Sequence, residues 1–378
     1  MTRRTCCREQ TGNPRMTVPM IPEKMKAMVT MGHGDFDQLV WHEDWPVPVA
    51  ARDEVLVRVG ACGLNNTDIN TRTGWYSKSV SEATTGGAYD EVGSDDPSWG
   101  GAAVSFPRIQ GADVCGEIVA VGEDVDPARI GERVITDNWL RDPADPLDKD
   151  RTGYYGSEHD GGFAEYATIP ARNALAVRSD LSDAELATFS CSYSTAEGML
   201  TRASVTGSDT VLVPGASGGV GGAVVQLAKI RGARVIAMAS EAKHADVAAL
   251  GADRLLPRDA GALKAVLADE KVSVVADVVG GAIWPALIDV LARGGRYTCS
   301  GAIAGPMVDF DLRTFYLRDL TFTGSTVIDQ EVMPRLVSYI EAGKVKPVLA
   351  ASYPLSQLHD AQRAFISKTH TGNIVVCP

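Results

Sequence analysis

The hydrophobic positions of this chain change their period part way along it. Residues 26–30 (KAMVT), 39–41, 54–59, 111–122, 131–135 and 163–169 are short strand-like runs, and in 54–59, 111–122 and 131–135 apolar and polar residues alternate. A period of two marks strands with one buried face, so this half predicts a β-rich unit. From Asp183 the spacing turns helical, and from Thr210 short β-branched runs alternate with helical segments. Strands are expected at 211–213, 234–237, 254–256, 272–277, 296–299 and 320–324, and helices at 220–230, 242–250, 263–268 and 283–291. That rhythm predicts an α/β fold with a doubly wound parallel sheet. A helix over 330–342 and a last run at 372–376 are too short to stand alone and are expected to return to the first unit.

The sharpest junction lies at 211–229, VLVPGASGGVGGAVVQLAK. A β-branched run breaks at Pro214-Gly215 and gives way to helical spacing at Val224, Val225, Leu227 and Ala228. Gly215 can turn tightly off the strand, Gly218 has no Cβ to block a pyrophosphate, and Gly221 lets helix and strand pack closely. The helix N-terminus offers free N–H groups to negative charge. A glycine-rich turn alone is unspecific. With a strand before it and a helix after it, Gly215-Ala216-Ser217-Gly218-Gly219-Val220-Gly221 becomes an expected dinucleotide cradle.

Length and charge narrow the picture further. At 378 residues the chain exceeds what one core usually holds, so two domains are expected. A net charge of −12 without a clustered excess of Lys and Arg argues against nucleic acid and anionic membranes. No apolar run approaches the roughly 20 residues of a membrane span, and the chain reads as soluble and cytoplasmic, acting on a small molecule. The seven cysteines form no Cys-x-x-Cys pair and read as reduced thiols. Residues 1–24 read as a disordered leader or an upstream start, although Arg3, Arg4, Arg8 and Arg15 against a single Glu9 faintly suggest a targeting peptide. Two polar segments, 77–105 and 137–162, interrupt the β-rich half, and the first is expected to be a mobile lid.

From residue 25 onward the chain resembles the medium-chain dehydrogenase/reductase superfamily, and within it the zinc-independent quinone and enoyl reductases. The resemblance rests on Asn65-Asn66-Thr67-Asp68, Gly111-Ala112-Asp113-Val114-Cys115-Gly116, Val121-Gly122, Gly131-Glu132-Arg133-Val134, Gly162-Phe163-Ala164-Glu165-Tyr166 and the glycine turn, in that order. It implies a GroES-like β-rich catalytic domain at 25–189 and 327–378, interrupted by a Rossmann cofactor-binding domain at 190–326. Substrate is then expected between the two. Members of the family commonly form homodimers through an edge strand, which 320–324 could supply.

The same resemblance allows a test for zinc. The alcohol dehydrogenase branch has Cys where Asn65 stands, Gly-His-Glu where Gly111-Ala112-Asp113 stands, and a second Cys matching Cys191. Catalytic zinc needs three such protein ligands. Only Cys191 persists, Asp113 matches the Glu beside the usual His, and residues 137–162 lack the four cysteines of a structural zinc. His159 beside Glu158 and Asp160 reads as a solvated loop histidine. No metal is therefore expected.

Cofactor choice is decided after the second strand of the parallel sheet, where NAD enzymes place an Asp on the ribose hydroxyl. Here the position reads Ala239, while Ser240 and Lys243 can hold a 2′-phosphate, which favours NADPH over NADH. The alternative for that pair is an N-cap Ser and a solvated Lys, and a register one or two residues different would bring Glu241 to the ribose. Asn373 stands where the family returns a Lys to the cofactor.

Without zinc, a conjugated acceptor is the better substrate, because its charge delocalises onto an oxygen that hydrogen bonds can hold. In the enoyl reductases a Tyr eight residues after the Asp of Asn-x-x-Asp gives the proton, a spacing that Asp68 and Tyr76 match. Tyr76 is thus either the acid or an aromatic anchor beside Trp75. Asn65 and Thr67 are expected to orient substrate or nicotinamide. Arg72 either steers an anion or pairs with Asp68 four residues earlier. Tyr193 could also line the cleft, while Cys115 and Cys191 read as packing residues. Three readings result: an NADPH-dependent quinone or enone reductase, an alcohol or aldehyde dehydrogenase with rearranged zinc ligands, and a non-catalytic NADPH-binding protein.

Overall fold

The computed structural model describes residues 21–84, 87, 103–258, 261, 263–268 and 270–378. Residues 1–20 of the expected leader and most of the 77–105 segment lie outside the described residues.

In the second half the β-branched runs become Thr210–Val213, Arg234–Ala239, Arg254–Pro257, Val272–Asp277, Leu291–Cys299 and Thr321–Gly324. They form one parallel sheet in which Thr210–Val213 lies between Arg234–Ala239 and Val272–Asp277. Counted along the chain the order is 3-2-1-4-5-6, so the winding reverses beside the first strand. A crevice opens there, at the carboxyl ends of the strands. The connecting helices include Gly219–Ile230, His244–Ala249, Leu263–Val266 and Trp284–Asp289. Two begin later than the periodicity implies, because residues 241–243 and 281–283 form 3-10 turns on leaving their strands.

In the first half Glu54–Gly63 is the central strand, paired antiparallel with Asp113–Val121 and with Tyr166–Pro170. Its apolar residues are buried on both faces, which explains why the alternation fails after Val59. The late strand Asn373–Cys377 pairs antiparallel with Glu54–Gly63 and parallel with Leu349–Pro354. A separate small sheet holds Lys24–Thr30 between Leu39–Pro46 and Arg108–Ile109. One apolar core runs from Ala61, Cys115 and Ile135 through Leu186, Phe189 and Ala196 to Val211, Val213 and Val225. Helix Ser190–Arg202 is therefore a wall shared by both sheets, and the cleft lies alongside it.

The polar stretch after Gly63 is a helix, Asn66–Thr73, that composition conceals. Asn65 and Asp68 close a capping box at its start, and Gly74 ends it at φ 78°. Arg72 does not pair with Asp68. It is fully buried, donates to the Gly34 carbonyl at 2.8 Å and lies over the Phe36 ring at 4.6 Å. Among the described residues no helix is long and apolar enough to cross a membrane.

Candidate active site

A cleft of about 580 Å³ joins the glycine turn to helix Asn66–Thr73 and helix Ser190–Arg202. At the turn, Gly215 sits at φ +67°, a conformation that L side chains rarely adopt. A Cβ at Gly221 would lie 2.2 Å from the Gly215 carbonyl oxygen, so this glycine is the close-packing one. At Gly218 a Cβ would approach the protein only at the Gly215 carbonyl oxygen, 3.6 Å away. Gly218 caps the following helix without a side-chain hydrogen bond, which leaves amide donors facing the cleft. Gly215, Ser217, Gly218, Gly219, Val220 and Gly221 line the cavity. Ala216 does not: it is buried, and its N–H is bonded to the Met238 carbonyl at 3.0 Å. These features fit a dinucleotide pyrophosphate.

The turn is also tied to the end of the chain. Gly372 N–H donates to the Ser217 carbonyl at 2.8 Å, and the Asn373 carboxamide donates to the Thr188 carbonyl at 2.6 Å. A Cβ at Gly219 would lie 2.1 Å from Asn373 Oδ1, a second reason for glycine there that the motif does not reveal.

Ala239, Ser240 and Lys243 line the cleft at the end of the second strand, whereas Glu241 is exposed and outside the lining. Lys243 is not a plain solvated lysine, since its ammonium donates to the main-chain carbonyls of Lys368 and His370. Two further cations that sequence reasoning missed share the wall, Arg258 and Lys368. Lys368 donates to Asn66 Oδ1 at 2.9 Å, and burial followed by the neighbouring Lys243 charge lowers its pKa to about 7. Their signal was present only as isolated basic residues, 125 positions apart for Lys243 and Lys368.

Asn65, Thr67, Asn70 and Tyr76 also line the cleft. Burial pushes the Tyr76 phenol well above the ordinary range, and a hydrogen bond with Asn70 opposes that shift. Trp75 meets Tyr76 edge to face at 5.7 Å. Trp139 and Tyr154, from the 137–162 segment, complete this wall, and Thr84 N–H crosses to the Ile303 carbonyl at 3.0 Å. Tyr193 is not a cleft residue. It is buried, with its hydroxyl donating to the Lys346 carbonyl at 2.6 Å and accepting from Gln226. His159 is held by Glu54 at 3.1 Å and stacks on Tyr155. Cys115 is buried and donates to Asp183.

The floor tests whether zinc fits. Cys191 lines the cleft, but burial and then the Asp113 charge push its thiol well above the ordinary range. Asp113 Oδ1 already accepts from Asn138 at 2.8 Å and from the Cys191 N–H at 2.9 Å. Burial raises the Asp113 pKa to about 6 and that of Asp68 to about 7. Among the described residues no three His, Cys, Asp or Glu come together as a metal set. With Asn65 and Ala112 at the other family positions, these donors do not fit a catalytic zinc.

Residues 51–179 match the family model of the alcohol dehydrogenase GroES-like domain, and residues 219–342 match that of the zinc-binding dehydrogenases. The chain is 27% identical to the acryloyl-coenzyme A reductase of Metallosphaera sedula, over 93% of this chain and 99% of that one. It is 28% identical to the chloroplastic NADPH-dependent alkenal/one oxidoreductase of Arabidopsis thaliana, over 95% and 81%. A solved chain from Sinorhizobium meliloti, assigned to the alcohol dehydrogenases, is similar at a TM-score of 0.85 and 45% identity, over 95% and 98%. Fold and relatives together define an oxidoreductase with a GroES-like unit and a Rossmann sheet. The chain belongs to the medium-chain dehydrogenase/reductase superfamily.

Proposed function

We propose that this protein is an NADPH-dependent reductase that delivers hydride to a quinone or an α,β-unsaturated carbonyl without a catalytic zinc. The observation that carries this reading is the cleft floor. Asn65 and Ala112 occupy two of the three ligand positions, Asp113 is engaged by Asn138 and Cys191, and a half-buried tyrosine, Tyr76, lines the same cavity. Relatives named as alkenal and acryloyl-coenzyme A reductases agree with a conjugated acceptor.

Gly215, Ser217, Gly218, Gly219, Val220 and Gly221 would hold the pyrophosphate, with Ala216 keeping the turn packed. Ser240, Lys243, Arg258 and Lys368 present three cations and a hydroxyl where an Asp would otherwise bind a ribose, which favours a 2′-phosphate. Bound there, the reduced nicotinamide supplies a hydride. The protein's own part is to exclude water, orient the acceptor through Asn65 and Thr67, and give one proton. Tyr76 is the proton donor: a phenol keeps its O–H at neutral pH, and Asn70 hydrogen-bonds it at the edge of the cleft. Residues 25–189 with 327–378 then act as the catalytic unit and 190–326 as the cofactor unit.

The reading is tested by following NADPH consumption over quinones, enones and simple aldehydes, with and without a chelator. Turnover of conjugated acceptors unchanged by chelator is the expected result. Activity confined to aldehydes or alcohols and abolished by chelation would favour a dehydrogenase with rearranged zinc ligands instead.

We also propose a homodimer built on the open edge of the parallel sheet. Thr321–Gly324 is the last strand in that sheet, and the helix before it exposes Leu312, Tyr316 and Leu317. An apolar cluster beside an unpaired strand edge is a surface that association would cover.

A further inference from the structure

The buried carboxylate of Asp113 ties together separate parts of the cleft floor. One oxygen accepts from the Cys191 N–H, at the start of helix Ser190–Arg202, and from Asn138. Asn138 in turn donates to the Tyr154 hydroxyl at 3.2 Å. Asn65, Cys191 and Tyr154 all line the cavity. The other Asp113 oxygen and the carboxamide nitrogen of Asn65, a residue only 6% exposed, have no partner besides one another.

The orientation of that carboxamide follows from charge. Its oxygen belongs to the capping box, accepting from the Asp68 N–H. Turning the amide over would set oxygen toward the Asp113 carboxylate, so the nitrogen end is the one that faces it. A primary amide carries two N–H donors. With one toward Asp113, the second is available to a ligand in the cleft, and a buried donor left unsatisfied is costly.

Resting on the reductase reading, we propose that the Asn65 carboxamide N–H donates to the carbonyl oxygen of the acceptor, and that Asp113 is the positioning residue that holds it there. As the β-carbon takes hydride, the alkene electron pair moves onto that oxygen, where the Asn65 N–H stabilises the enolate charge. The α-carbon then takes the Tyr76 proton, and the phenolate regains one from water. Asn65 thus stands in for part of what a Lewis acid does, at one of the positions where the zinc-dependent branch carries a metal ligand.

Asn65→Asp keeps the size of the side chain and a good N-cap while replacing both donors by an acceptor. With saturating NADPH its enone turnover should fall about 100-fold, the scale of one lost oxyanion donor. NADPH affinity by fluorescence should stay near that of the unmodified enzyme, while the thermal midpoint should fall, because the new carboxylate faces that of Asp113. A nitroalkene, which carries its own electron sink, should lose far less. Asp113→Asn should lower enone turnover about tenfold through misplacement, with the NADPH KM unchanged. Equal turnover in Asn65→Asp and the unmodified enzyme, or equal losses on enone and nitroalkene, overturns the role of Asn65. An unmodified enzyme that oxidises no NADPH with any acceptor overturns the reductase reading, and this inference with it.

Discussion

Lys243 donates its ammonium to the main-chain carbonyl of Lys368 at 2.7 Å, so the lysine expected to choose the cofactor is also the clasp that holds a second lysine in the cleft. An ammonium has three donors, and two are used by Lys368 and His370. The third remains for a phosphate. Lys243→Ala should weaken NADPH by about 10- to 100-fold, the scale of one charge-assisted hydrogen bond, and leave NADH nearly unchanged. Fluorescence titration with both cofactors decides it, and an equal loss for both would remove the phosphate contact.

Lys368 makes a pH-dependent prediction. Its pKa of about 7 lies below that of an unfolded lysine, so between about pH 7 and 10 the unfolded chain binds more protons than the folded one. The sign follows: this group's contribution to stability rises with pH across that window and is lost as pH falls through 7. Lys368→Met should therefore raise the thermal midpoint at pH 7. It should also weaken NADPH, and the unmodified protein's preference for NADPH over NADH should decline as pH rises above 7. A variant that melts earlier at pH 7 would contradict the assignment.

Tyr76→Phe keeps the edge-to-face contact with Trp75 and removes only the hydroxyl. Enone turnover should drop at least tenfold, within the usual range for one lost acid, with NADPH affinity intact. Equal turnover in the two proteins would leave Tyr76 as an aromatic anchor.

Gly219→Ala would push a methyl to 2.1 Å from Asn373 Oδ1 and 2.4 Å from Ser192 Oγ. Overpacking of this kind costs about 1–3 kcal/mol. Denaturant unfolding should register that loss, and Asn373→Ala in the same chain should recover part of it. Additive losses would show that the two residues do not compete for space.

Replacing Leu317 by Glu should shift the protein from dimer to monomer in sedimentation, because the charge would sit among Leu312 and Tyr316 beside the sheet edge. A protein that is monomeric before substitution removes the proposed interface.

Much of the fold is legible because it rests on periodicity. The six parallel strands fall where the β-branched runs stand, and the glycine turn carries its own conformational requirement at Gly215 and Gly221. Helix Asn66–Thr73 was not legible, since it is almost wholly polar and is held by Arg72 reaching Gly34 and Gln362. Tyr193 looked like a cleft residue from its distance to Cys191, yet its hydroxyl is turned to the Lys346 carbonyl. A helix sends residues two apart to different faces.

The amino-acid sequence by itself determined the two-part architecture, the glycine turn between strand and helix, and the unsuitability of Asn65 and Ala112 as zinc ligands. Each of these depends on local spacing or on the chemistry of one residue type. Only the tertiary structure decided that Lys368 and Arg258 join Lys243, that Asn373 limits Gly219, and that Asp113 gathers Asn138, Cys191 and Asn65 into one floor. Those relationships are contacts between segments tens to hundreds of residues apart. Those at Gly219 and between Lys243 and Lys368 exist because the last strand folds back beside Glu54–Gly63 and brings the end of the chain to the glycine turn.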